Sequence, residues 1–580
     1  MTQIATPPKA GAAARAGRFF DQHRETLERA VRAIRERAYW SPYPEVPSGS
    51  IYGETANDDG REAFEARLGR PFDLDQPGPG GEVGDERSPF GFDLGIRYPR
   101  TEVETAIAAL TAALPAWRAA GAEARAGVCL EILDRLNKRS FEMGYAVMHT
   151  TGQPFVMAFQ AGGPHAQDRG LEAVAYAWSE MTRHADHVTW EKPQGKRDPI
   201  RLAKSYRVVP RGLALVIGCN TFPNWNSYPG LFASLVTGNP VLVKPSRRSV
   251  LPLALTVSVA REVLADARFD PNVVMLAAEA EDERLASDLA VRPEIRLVDF
   301  TGSTAFGEWL ERNATQAGVY TEKAAVNSIV IDSTDDFDAM AGNIAFSLSL
   351  YSGQMCTAPQ NLLVPRDGIL VGSVRWSLRQ VEEGIAGAID KLLADPARAV
   401  EVTGAIVNDQ VRERVERAPS LGRVILASRS IDHPQFPDAT VRTPMIVGLD
   451  AADETVYMRE EFGPVSFVVA TDSTAHSIDI LRRTARDRGA ITAAVYSTDE
   501  DILSRTNEAA AEAGVALSCN LIGNIWVNQS AAFSDFHATG ANPAANACLT
   551  DPAFVAGRFR IVESRRPAPP AEDSTPVRSS

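Results

Sequence analysis

Residues 213–244 read LALVIGCNTFPNWNSYPGLFASLVTGNPVLVK. A short apolar run stands at each end of this stretch, at 213–217 and at 241–243. Further runs follow at 273–276 and 297–300, with helical segments between them. Short apolar runs that alternate with helices are typical of parallel strands joined by crossover helices. The stretch therefore predicts an α/β fold built on a parallel sheet.

A second alternating region begins after Glu322. Its apolar runs lie at 329–331, 362–364, 465–470 and 491–496, and Cys356 falls inside it. This pattern predicts a second α/β domain. Before the first region, 21–40 has amphipathic helical spacing, 41–99 is rich in Pro, Gly and acids and is expected to be irregular, and 101–181 is helical in pattern.

Polar residues follow three strands of the first predicted sheet. They are Asn220, Lys244 and the Gly302-Ser303 pair. Because ligands of parallel sheets bind at the carboxyl ends of the strands, these residues predict a ligand crevice. Each has a simpler interpretation: Asn220 as an Asx-turn, Lys244 as a solvated charge, and 302–307 as a glycine-rich helix entry before a helix at 308–315.

Cys356 is the candidate nucleophile. It lies in SLYSGQMCTAPQN between a turn glycine and polar residues, which is unlike the apolar surroundings of a core cysteine. The alternative is a buried, inert thiol. Glu322 precedes an apolar strand and is a candidate general base, or else a surface carboxylate. Glu460 and Phe462 precede another strand and suit a sugar hydroxyl and an aromatic ring, or only a loop.

Composition limits the class of protein. The chain has 580 residues, a net charge of −14 and 44% hydrophobic residues, with no apolar run long enough for a bilayer. An acidic chain without clustered Lys and Arg is a poor nucleic-acid binder. Five cysteines without C-x-x-C spacing favour reduced thiols, so we expect a cytoplasmic location, no membrane contact and no metal site.

Six motifs stand in the order of one family. They are Asn220, Lys244, Gly302-Ser303, Glu322, Cys356 in SGQMCT, and Glu460-Glu-Phe462-Gly-Pro-Val. With them the chain resembles the NAD(P)-dependent aldehyde dehydrogenase superfamily over 100–560. The details EKAAVN and the long segment before residue 100 are most similar to phenylacetic acid degradation proteins of the PaaN type.

The resemblance implies an aldehyde-dehydrogenase-like fold with a Rossmann-type cofactor domain, an α/β catalytic domain and an oligomerisation arm. The implied organisation is an extension at 1–99, a cofactor domain at 100–185 and 208–322, an arm at 186–207 and 553–563, a catalytic domain at 323–552, and a disordered tail at 567–580. The arm implies a homodimer or homotetramer.

The resemblance also implies roles for the motif residues. Cys356 attacks the aldehyde, Asn220 holds the oxyanion, and Glu322 activates water for hydrolysis of the thioester. The implied contacts to NAD(P) come from Lys244, Ser246, Arg247, Gly302, Ser303, Glu460 and Phe462. The implied substrate is a small aldehyde, namely a CoA-linked semialdehyde from an opened aromatic ring, with other semialdehydes or aliphatic aldehydes as the alternative.

Three positions depart from the family pattern. Glu322-Lys-Ala-Ala replaces the usual Glu-Leu-Gly-Gly, which puts the approach of nicotinamide in question. Arg247 stands where NAD-preferring members often have Glu, so we predict a preference for NADP. FHATGANP replaces the late Gly-Gly-x-Lys segment, and the expected lining of the substrate mouth is Phe222, Trp225, Phe533 and Phe536.

Two other classes of function compete with a dehydrogenase. A cysteine hydrolase would need a histidine partner for Cys356, and none of the eight histidines forms an evident pairing motif. A non-catalytic assembly or regulatory protein would keep the fold without the chemistry, and the altered EKAA segment favours it. The retention of Cys356, Glu322 and Asn220 together argues against that class.

Overall fold

In a computed structural model, residues 10–78 and 80–568 are described, with side chains from residue 17 onward. The helices are α1 (Ala10–Glu36), α2 (Gly49–Tyr52), α3 (Ala56–Glu65), α4 (Val103–Ala119), α5 (Ala122–Asn137), α6 (Ser140–Thr151), α7 (Phe155–Gly162), α8 (Pro164–Met181), α9 (Pro223–Val236), α10 (Leu251–Asp266), α11 (Leu285–Ala290), α12 (Thr304–Asn313), α13 (Phe337–Ser349), α14 (Leu378–Leu392), α15 (Pro396–Thr403), α16 (Asp409–Arg417), α17 (Glu454–Tyr457), α18 (Thr474–Arg488), α19 (Glu500–Ala513) and α20 (Pro552–Ala556).

The strands are β1 (Glu82–Val83), β2 (Tyr98–Pro99), β3 (His187–Gln194), β4 (Arg197–Pro210), β5 (Leu213–Ile217), β6 (Val241–Lys244), β7 (Val274–Leu276), β8 (Ile295–Thr301), β9 (Gly318–Glu322), β10 (Asn327–Ile331), β11 (Ser333–Thr334), β12 (Pro359–Pro365), β13 (Ile369–Val371), β14 (Val374–Trp376), β15 (Arg423–Leu426), β16 (Ser430–Ile431), β17 (Val441–Arg442), β18 (Met445–Asp450), β19 (Val465–Thr471), β20 (Thr492–Tyr496), β21 (Ala516–Cys519) and β22 (Phe559–Pro567). Across the described residues, no helix has both the length and the apolar character of a transmembrane span.

The first sheet has five parallel strands in the order β7-β6-β5-β8-β9. Strand order reverses at β5, whose neighbours β6 and β8 lie on opposite sides. Strands β5, β6 and β7 are buried throughout, which explains why they have continuous apolar runs rather than alternating ones. The predicted parallel α/β fold is confirmed, and a ligand crevice is expected outside the carboxyl ends of β5 and β8.

The second sheet has seven strands in the order β15-β18-β19-β12-β10-β20-β21. All neighbouring pairs are parallel except β15 with β18. The four predicted runs correspond to β10, β12, β19 and β20. Cys356 lies three residues before β12, in the turn that leads into the middle of this sheet.

A third sheet, in the order β22-β4-β3, is antiparallel. It corresponds to the predicted arm, and β22 extends that arm to Pro567. Every residue of β3 is exposed. Most of the predicted disordered tail at 567–580 lies outside the described residues.

The segment before residue 100 is more ordered than its composition predicts. Helix α1 packs on α5 and α8, and α3 packs on α6 within the stretch expected to be irregular. The buried Glu86 carboxylate accepts backbone hydrogen bonds from Val250 (2.5 Å) and Leu251 (3.0 Å) at the start of α10, and burial raises its pKa to about 7. The extension is therefore attached to the first α/β unit by specific hydrogen bonds, which composition cannot reveal.

A buried ion pair connects the first sheet to the C-terminal segment. The Arg558 guanidinium donates to both carboxylate oxygens of Asp299 on β8, at 2.6 and 2.8 Å, and also to Ser234 on α9. Arg558 is fully buried, so both charges depend on each other for solvation. This pair fixes the beginning of β22 against the first sheet.

Replacing Asp299 with Ala should lower the free energy of unfolding by about 3–5 kcal/mol, because the Arg558 charge is left buried without its partner. The measurement is the urea midpoint by circular dichroism. The control is Arg379→Ala, which removes an exposed pair with Glu383 and should leave the midpoint unchanged. Equal midpoints for Asp299→Ala and the wild type would contradict this account of Arg558.

Candidate functional site

The thiol of Cys356 is presented by a strained turn. Tyr351, Ser352 and Gly353 all have positive φ, at 50°, 49° and 63°. A Cβ at Gly353 would lie 2.5 Å from the carbonyl oxygen of Gly463, so the turn needs glycine there. The Cys356 carbonyl accepts a hydrogen bond from Asn327 at 2.8 Å, which fixes the residue against β10.

Glu322 is the last residue of β9 and is only 1% exposed. Its Oε2 accepts a hydrogen bond from Asn226 at 3.3 Å, and its buried Oε1 has no protein partner in the described structure. Burial acts to raise the pKa of Glu322, but the electrostatic interaction with His537 and hydrogen bonds from His537, Cys356 and Asn226 outweigh it. The net pKa lies below the ordinary value, so Glu322 is ionised at neutral pH.

His537 completes this group, although the sequence analysis did not single it out. Its Nε2 lies 3.9 Å from Cys356 Sγ and 3.1 Å from Glu322 Oε2, and the ring is 3% exposed. No histidine forms an evident pairing motif in the sequence, yet His537 contacts Cys356 in the folded structure. The available signal was the FHATGANP departure, but we assigned its importance to Phe536 instead of the next residue.

The resting thiol of Cys356 is held in its protonated form. Burial raises its pKa well above the ordinary value, and the negative charge and hydrogen bonding of Glu322 raise it further. Cys219 and Glu460 act in the same direction. The site therefore needs a group that stabilises the thiolate when Cys356 reacts.

Asn220 follows β5 as predicted. Its Nδ2 donates to the Thr150 carbonyl at 3.3 Å, and its Oδ1 is buried without a protein partner among the described residues. The second N–H of the amide is left for another acceptor. Its oxyanion role stays a prediction, whereas Asn226, which the sequence analysis did not single out, lines the cavity and contacts Glu322 directly.

The residues predicted to bind a dinucleotide lie at the strand ends of the first sheet. Lys244 ends β6 and forms an ion pair with Glu279. The Ser246 hydroxyl accepts from the backbone N–H of Arg248 at 3.4 Å. Arg247 is not free, because its Nη1 lies 3.0 Å from Glu281 and 3.3 Å from Asp85 of the extension.

The Gly302-Ser303 pair connects β8 to α12. Gly302 donates its backbone N–H to the Glu322 carbonyl at 3.0 Å, and Ser303 caps α12 by accepting from Phe306. The helix begins at Thr304, four residues earlier than predicted. A helix N-terminus, a strand-end lysine and a reversal of strand order at one edge fit the phosphates and ribose of NAD(P).

Glu460 and Phe462 lie beside the residues that follow Glu322. Glu460 Oε1 accepts the backbone N–H of Ala325 at 3.1 Å, and burial raises its pKa to about 7. Phe462 packs against the cluster of Ile406, Val407 and Val411. The altered residue Lys323 turns its ammonium to Glu311 at 3.0 Å and so stays out of the Glu322 contacts.

A cavity of about 500 Å³ has Cys356 and His537 among its lining residues. Aromatic side chains dominate its walls: Tyr39, Tyr43, Phe222, Trp225, Phe346 and Trp526. The predicted lining by Phe222 and Trp225 agrees with this cavity, whereas that by Phe533 and Phe536 does not. Phe533 is fully buried against Trp40, and Phe536 is stacked under the Arg37 guanidinium at 3.8 Å.

The charged groups of the cavity are mostly acidic. The carboxyl side chains are Glu45, Asp168 and Glu401, and the described lining residues include no Lys or Arg. Glu45 pairs with His165 at 2.8 Å, and Ser41 donates to Asp168 at 2.8 Å. Burial raises the pKa of Asp168 well above its usual range, which favours its neutral form.

Donor atoms of Glu322, Cys356 and His537 lie within 4.8 Å of one another. Such a set has the chemistry to bind a divalent cation. We do not assign a metal here, because a metal on Sγ would compete with bond formation between sulfur and carbon. The arrangement suits a nucleophile with a base beside it.

Comparison with known proteins identifies the family. A model described as "Aldehyde dehydrogenase family" matches residues 97–541. The chain belongs to the aldehyde dehydrogenase family. A crystal structure of an NAD-dependent aldehyde dehydrogenase from Burkholderia multivorans is 59% identical, covers 95% of this chain and 99% of its own, and has a TM-score of 0.94.

More distant relatives of this aldehyde dehydrogenase are named for 1-pyrroline-5-carboxylate or for N-succinylglutamate 5-semialdehyde. A 1-pyrroline-5-carboxylate dehydrogenase of Staphylococcus haemolyticus is 25% identical, with 76% of this chain and 80% of the relative covered. An N-succinylglutamate 5-semialdehyde dehydrogenase of Chromobacterium violaceum is 26% identical over 63% of this chain and 71% of its own. The expected fold and family are confirmed, and the protein is an oxidoreductase that acts on aldehydes.

The match to the family begins at residue 97, so most of the extension lies outside it. This aldehyde dehydrogenase nevertheless uses the extension in its cavity, through Tyr39, Ser41, Tyr43 and Glu45. Part of the cavity wall is therefore formed by residues outside the family match.

Replacing Glu322 with Gln should have opposite effects on two measurements. Alkylation of Cys356 by iodoacetamide at pH 7 should become faster, because loss of the neighbouring negative charge lowers the pKa of the thiol. Aldehyde turnover should fall by about a hundredfold, because a general base is lost. The control is Glu308→Gln on the exposed face of α12. Slower alkylation in Glu322→Gln would contradict the assigned charge of Glu322.

Proposed function

We propose that the protein oxidises an aldehyde to a carboxylic acid with NAD(P), through a thiohemiacetal and then a thioester on Cys356. The observation that supports this most is the convergence of Cys356 and an ionised Glu322 beside one aromatic cavity. The nucleophile and the base come from different sheets and meet at one point. A buried, ionised carboxylate beside a nucleophile at a cavity is typical of a catalytic site.

Each half of the reaction uses side chains of this chain. Sulfur attacks the carbonyl carbon, and the second N–H of Asn220 and the Cys356 backbone N–H receive the oxyanion. The cofactor, when bound, accepts the hydride from this carbon. Glu322 then takes a proton from water as the water oxygen attacks the thioester, and Cys356 leaves as a thiolate. The partnerless Oε1 of Glu322 is suited to that water.

The cavity favours a neutral, aromatic-sized aldehyde chain. Its aromatic walls bury apolar surface, and its described lining offers carboxyl groups but no Lys or Arg. The two imidazoles of the lining, His165 and His537, already pair with Glu45 and Glu322, so a substrate carboxylate would be desolvated there without a free cationic partner. This separates the protein from a role on the carboxylate-bearing semialdehydes for which its distant relatives are named.

A ring-opened, CoA-linked semialdehyde is the specific candidate. The resemblance to phenylacetic acid degradation proteins suggested it, and its acyl chain is uncharged because the far carboxyl group is a thioester. An uncharged acyl chain of that kind fits the acidic, aromatic cavity, while the charged part of coenzyme A would stay outside the cavity. The presence of Glu322 favours hydrolysis to the free acid over transfer to coenzyme A.

Steady-state kinetics with a panel of aldehydes tests this proposal. We expect phenylacetaldehyde and a ring-opened CoA-linked semialdehyde to have kcat/KM at least about tenfold above N-succinylglutamate 5-semialdehyde, the equivalent of roughly 1.4 kcal/mol. Cys356→Ala should be inactive on all of them. If N-succinylglutamate 5-semialdehyde has the highest kcat/KM of the panel, the proposed substrate class is contradicted. If neither the wild type nor Cys356→Ala turns over any of these aldehydes, the proposed catalytic activity is contradicted.

We propose NAD as the preferred cofactor, which revises the sequence-based prediction of NADP. That prediction assumed that Arg247 is free to meet a 2′-phosphate. Arg247 instead pairs with Asp85 and Glu281, and these carboxylates with Glu279 would repel the additional phosphate. The 59% identical crystal structure of an NAD-dependent enzyme supports the same preference.

Turnover with each cofactor checks this preference. We expect a higher kcat/KM with NAD than with NADP. The Asp85→Ala/Glu281→Ala double variant should shift the ratio toward NADP by about tenfold, because it frees Arg247 to form a charge-assisted hydrogen bond. A wild-type preference for NADP would contradict the proposal. A matched control is Asp93→Ala, which removes an exposed carboxylate of the extension.

We also propose that the arm joins copies of this chain. The exposed apolar side chains of β3, β4 and β22 include Val188, Trp190, Ile200 and Ile561, at 38–43% exposure. Apolar side chains on a protruding sheet with a free edge strand are typical of a subunit contact. A homodimer or homotetramer in the cytoplasm is the expected state, and the domain boundaries given above stay predictions.

A further inference from the structure

His537 has no place in the reaction described above, yet it contacts both reacting side chains. Its Nε2 is the atom nearest to both, at 3.9 Å from Cys356 Sγ and 3.1 Å from Glu322 Oε2. The nucleophile Cys356 and the base Glu322 are therefore both in contact with the same nitrogen atom. An imidazole in that place acts on the chemistry and is more than a packing residue.

The position of the proton on Nε2 follows from this geometry. A nitrogen lone pair 3.1 Å from a carboxylate oxygen would be repelled, so Nε2 carries a proton and lies at ion-pair distance from Glu322. The same N–H is within reach of sulfur at 3.9 Å. One donor therefore faces two atoms that are negatively charged at different stages of the reaction.

The other charged or titratable groups around His537 cannot stabilise negative charge on Cys356. Glu322, Cys219 and Glu460 all oppose negative charge on Cys356. Arg169 stacks over Trp225 at 5.2 Å, but it is fully buried and its charge is compensated by pairs with Glu172 and Asp535. Among the described groups in contact with Sγ and Oε2, His537 is the one that can carry a positive charge.

The imidazole is also fixed in place. Trp225 packs edge-on against the ring at 4.6 Å between centroids. The His537 carbonyl accepts a hydrogen bond from the backbone N–H of Leu549 at 3.0 Å. The backbone N–H of Lys323 donates to the carbonyl of Ala544, which lies in the same segment as His537. These contacts hold the ring beside β9, where Glu322 lies.

We propose that His537 is a third catalytic side chain, which donates its Nε2–H to Cys356 Sγ while sulfur is negatively charged and to the Glu322 carboxylate at the other stages.

The protons balance in this scheme. The Cys356 proton passes to Glu322, and the Nε2–H then faces the sulfur anion, whose electron pair bonds to the aldehyde carbon. Glu322 releases that proton to solvent and is again held by Nε2–H. It next accepts one proton from the attacking water, and Cys356 leaves the acyl carbon as a thiolate that Nε2–H receives. The proton on Glu322 then returns to the sulfur, which restores the thiol and the carboxylate of the starting state.

The role in deacylation depends on the proposed function, but the stabilisation of the thiolate does not. The test therefore measures the thiol without any aldehyde or cofactor. The rate of Cys356 alkylation by iodoacetamide is followed from pH 6 to 10, with the Cys356 peptide quantified by mass spectrometry so that the other four cysteines do not contribute.

We expect His537→Ala to lower the alkylation rate at each pH below the midpoint by about tenfold or more, which is an upward shift of the profile, since a favourable partner of the thiolate is lost. His537→Gln keeps an N–H donor without a charge and should lie between His537→Ala and the wild type. The control is His476→Gln, on the surface helix α18, which should superimpose on the wild type.

A His537→Ala profile that superimposes on the wild type would overturn the proposal. If His537→Ala does not give the wild-type circular dichroism spectrum, His537→Phe decides, because its ring keeps the packing on Trp225 and removes the donor. An upward shift in that variant supports the proposal, and an unchanged profile overturns it.

A purely structural role is excluded by a second readout. In aldehyde turnover, His537→Ala should lower kcat by about tenfold or more while the KM for the cofactor stays within about twofold. A raised KM with unchanged kcat would overturn a catalytic role. If the wild type turns over no aldehyde and the alkylation profile still shifts, the proposed function fails and the role of His537 in thiolate stabilisation stands.

Discussion

A thiol and a carboxylate share one desolvated space, and the two cannot both be negative there without a compensating group. Glu322 is 1% exposed and ionised, and its charge opposes ionisation of Cys356. This opposition keeps the thiol protonated until a substrate arrives. The contact of His537 with both side chains makes the arrangement workable, and the rest of the fold serves to hold these three residues together.

The three residues come from distant parts of the chain. Glu322 ends a strand of the first sheet, Cys356 precedes a strand of the second, and His537 follows the last strand of the second sheet. Their distances therefore depend on how the two α/β units pack. The extension adds the outer wall of the cavity, so residues outside the family match influence which aldehyde reaches the sulfur.

Local pattern was enough to predict the sheets and several motif positions. Continuous apolar runs marked β5 and β6, and an unusual setting marked Cys356. His537 was missed because its partners are 181 and 215 positions away, and only folding brings them together. The contacts of Arg247 were hidden from the sequence for the same reason, since Asp85 and Glu281 meet it only in the folded structure. Phe533 and Phe536 are aromatic near the site, but one is buried in the core and the other stacks under Arg37.

The most direct test of the central claim is the identity of the acylated residue. The wild type is mixed with aldehyde and cofactor, quenched in acid within the first turnover, digested and analysed by mass spectrometry. The account predicts that the Cys356 peptide gains the mass of the substrate acyl group while reduced cofactor appears. Reduced cofactor without a modified Cys356 peptide, or an acyl group on another residue, would contradict it.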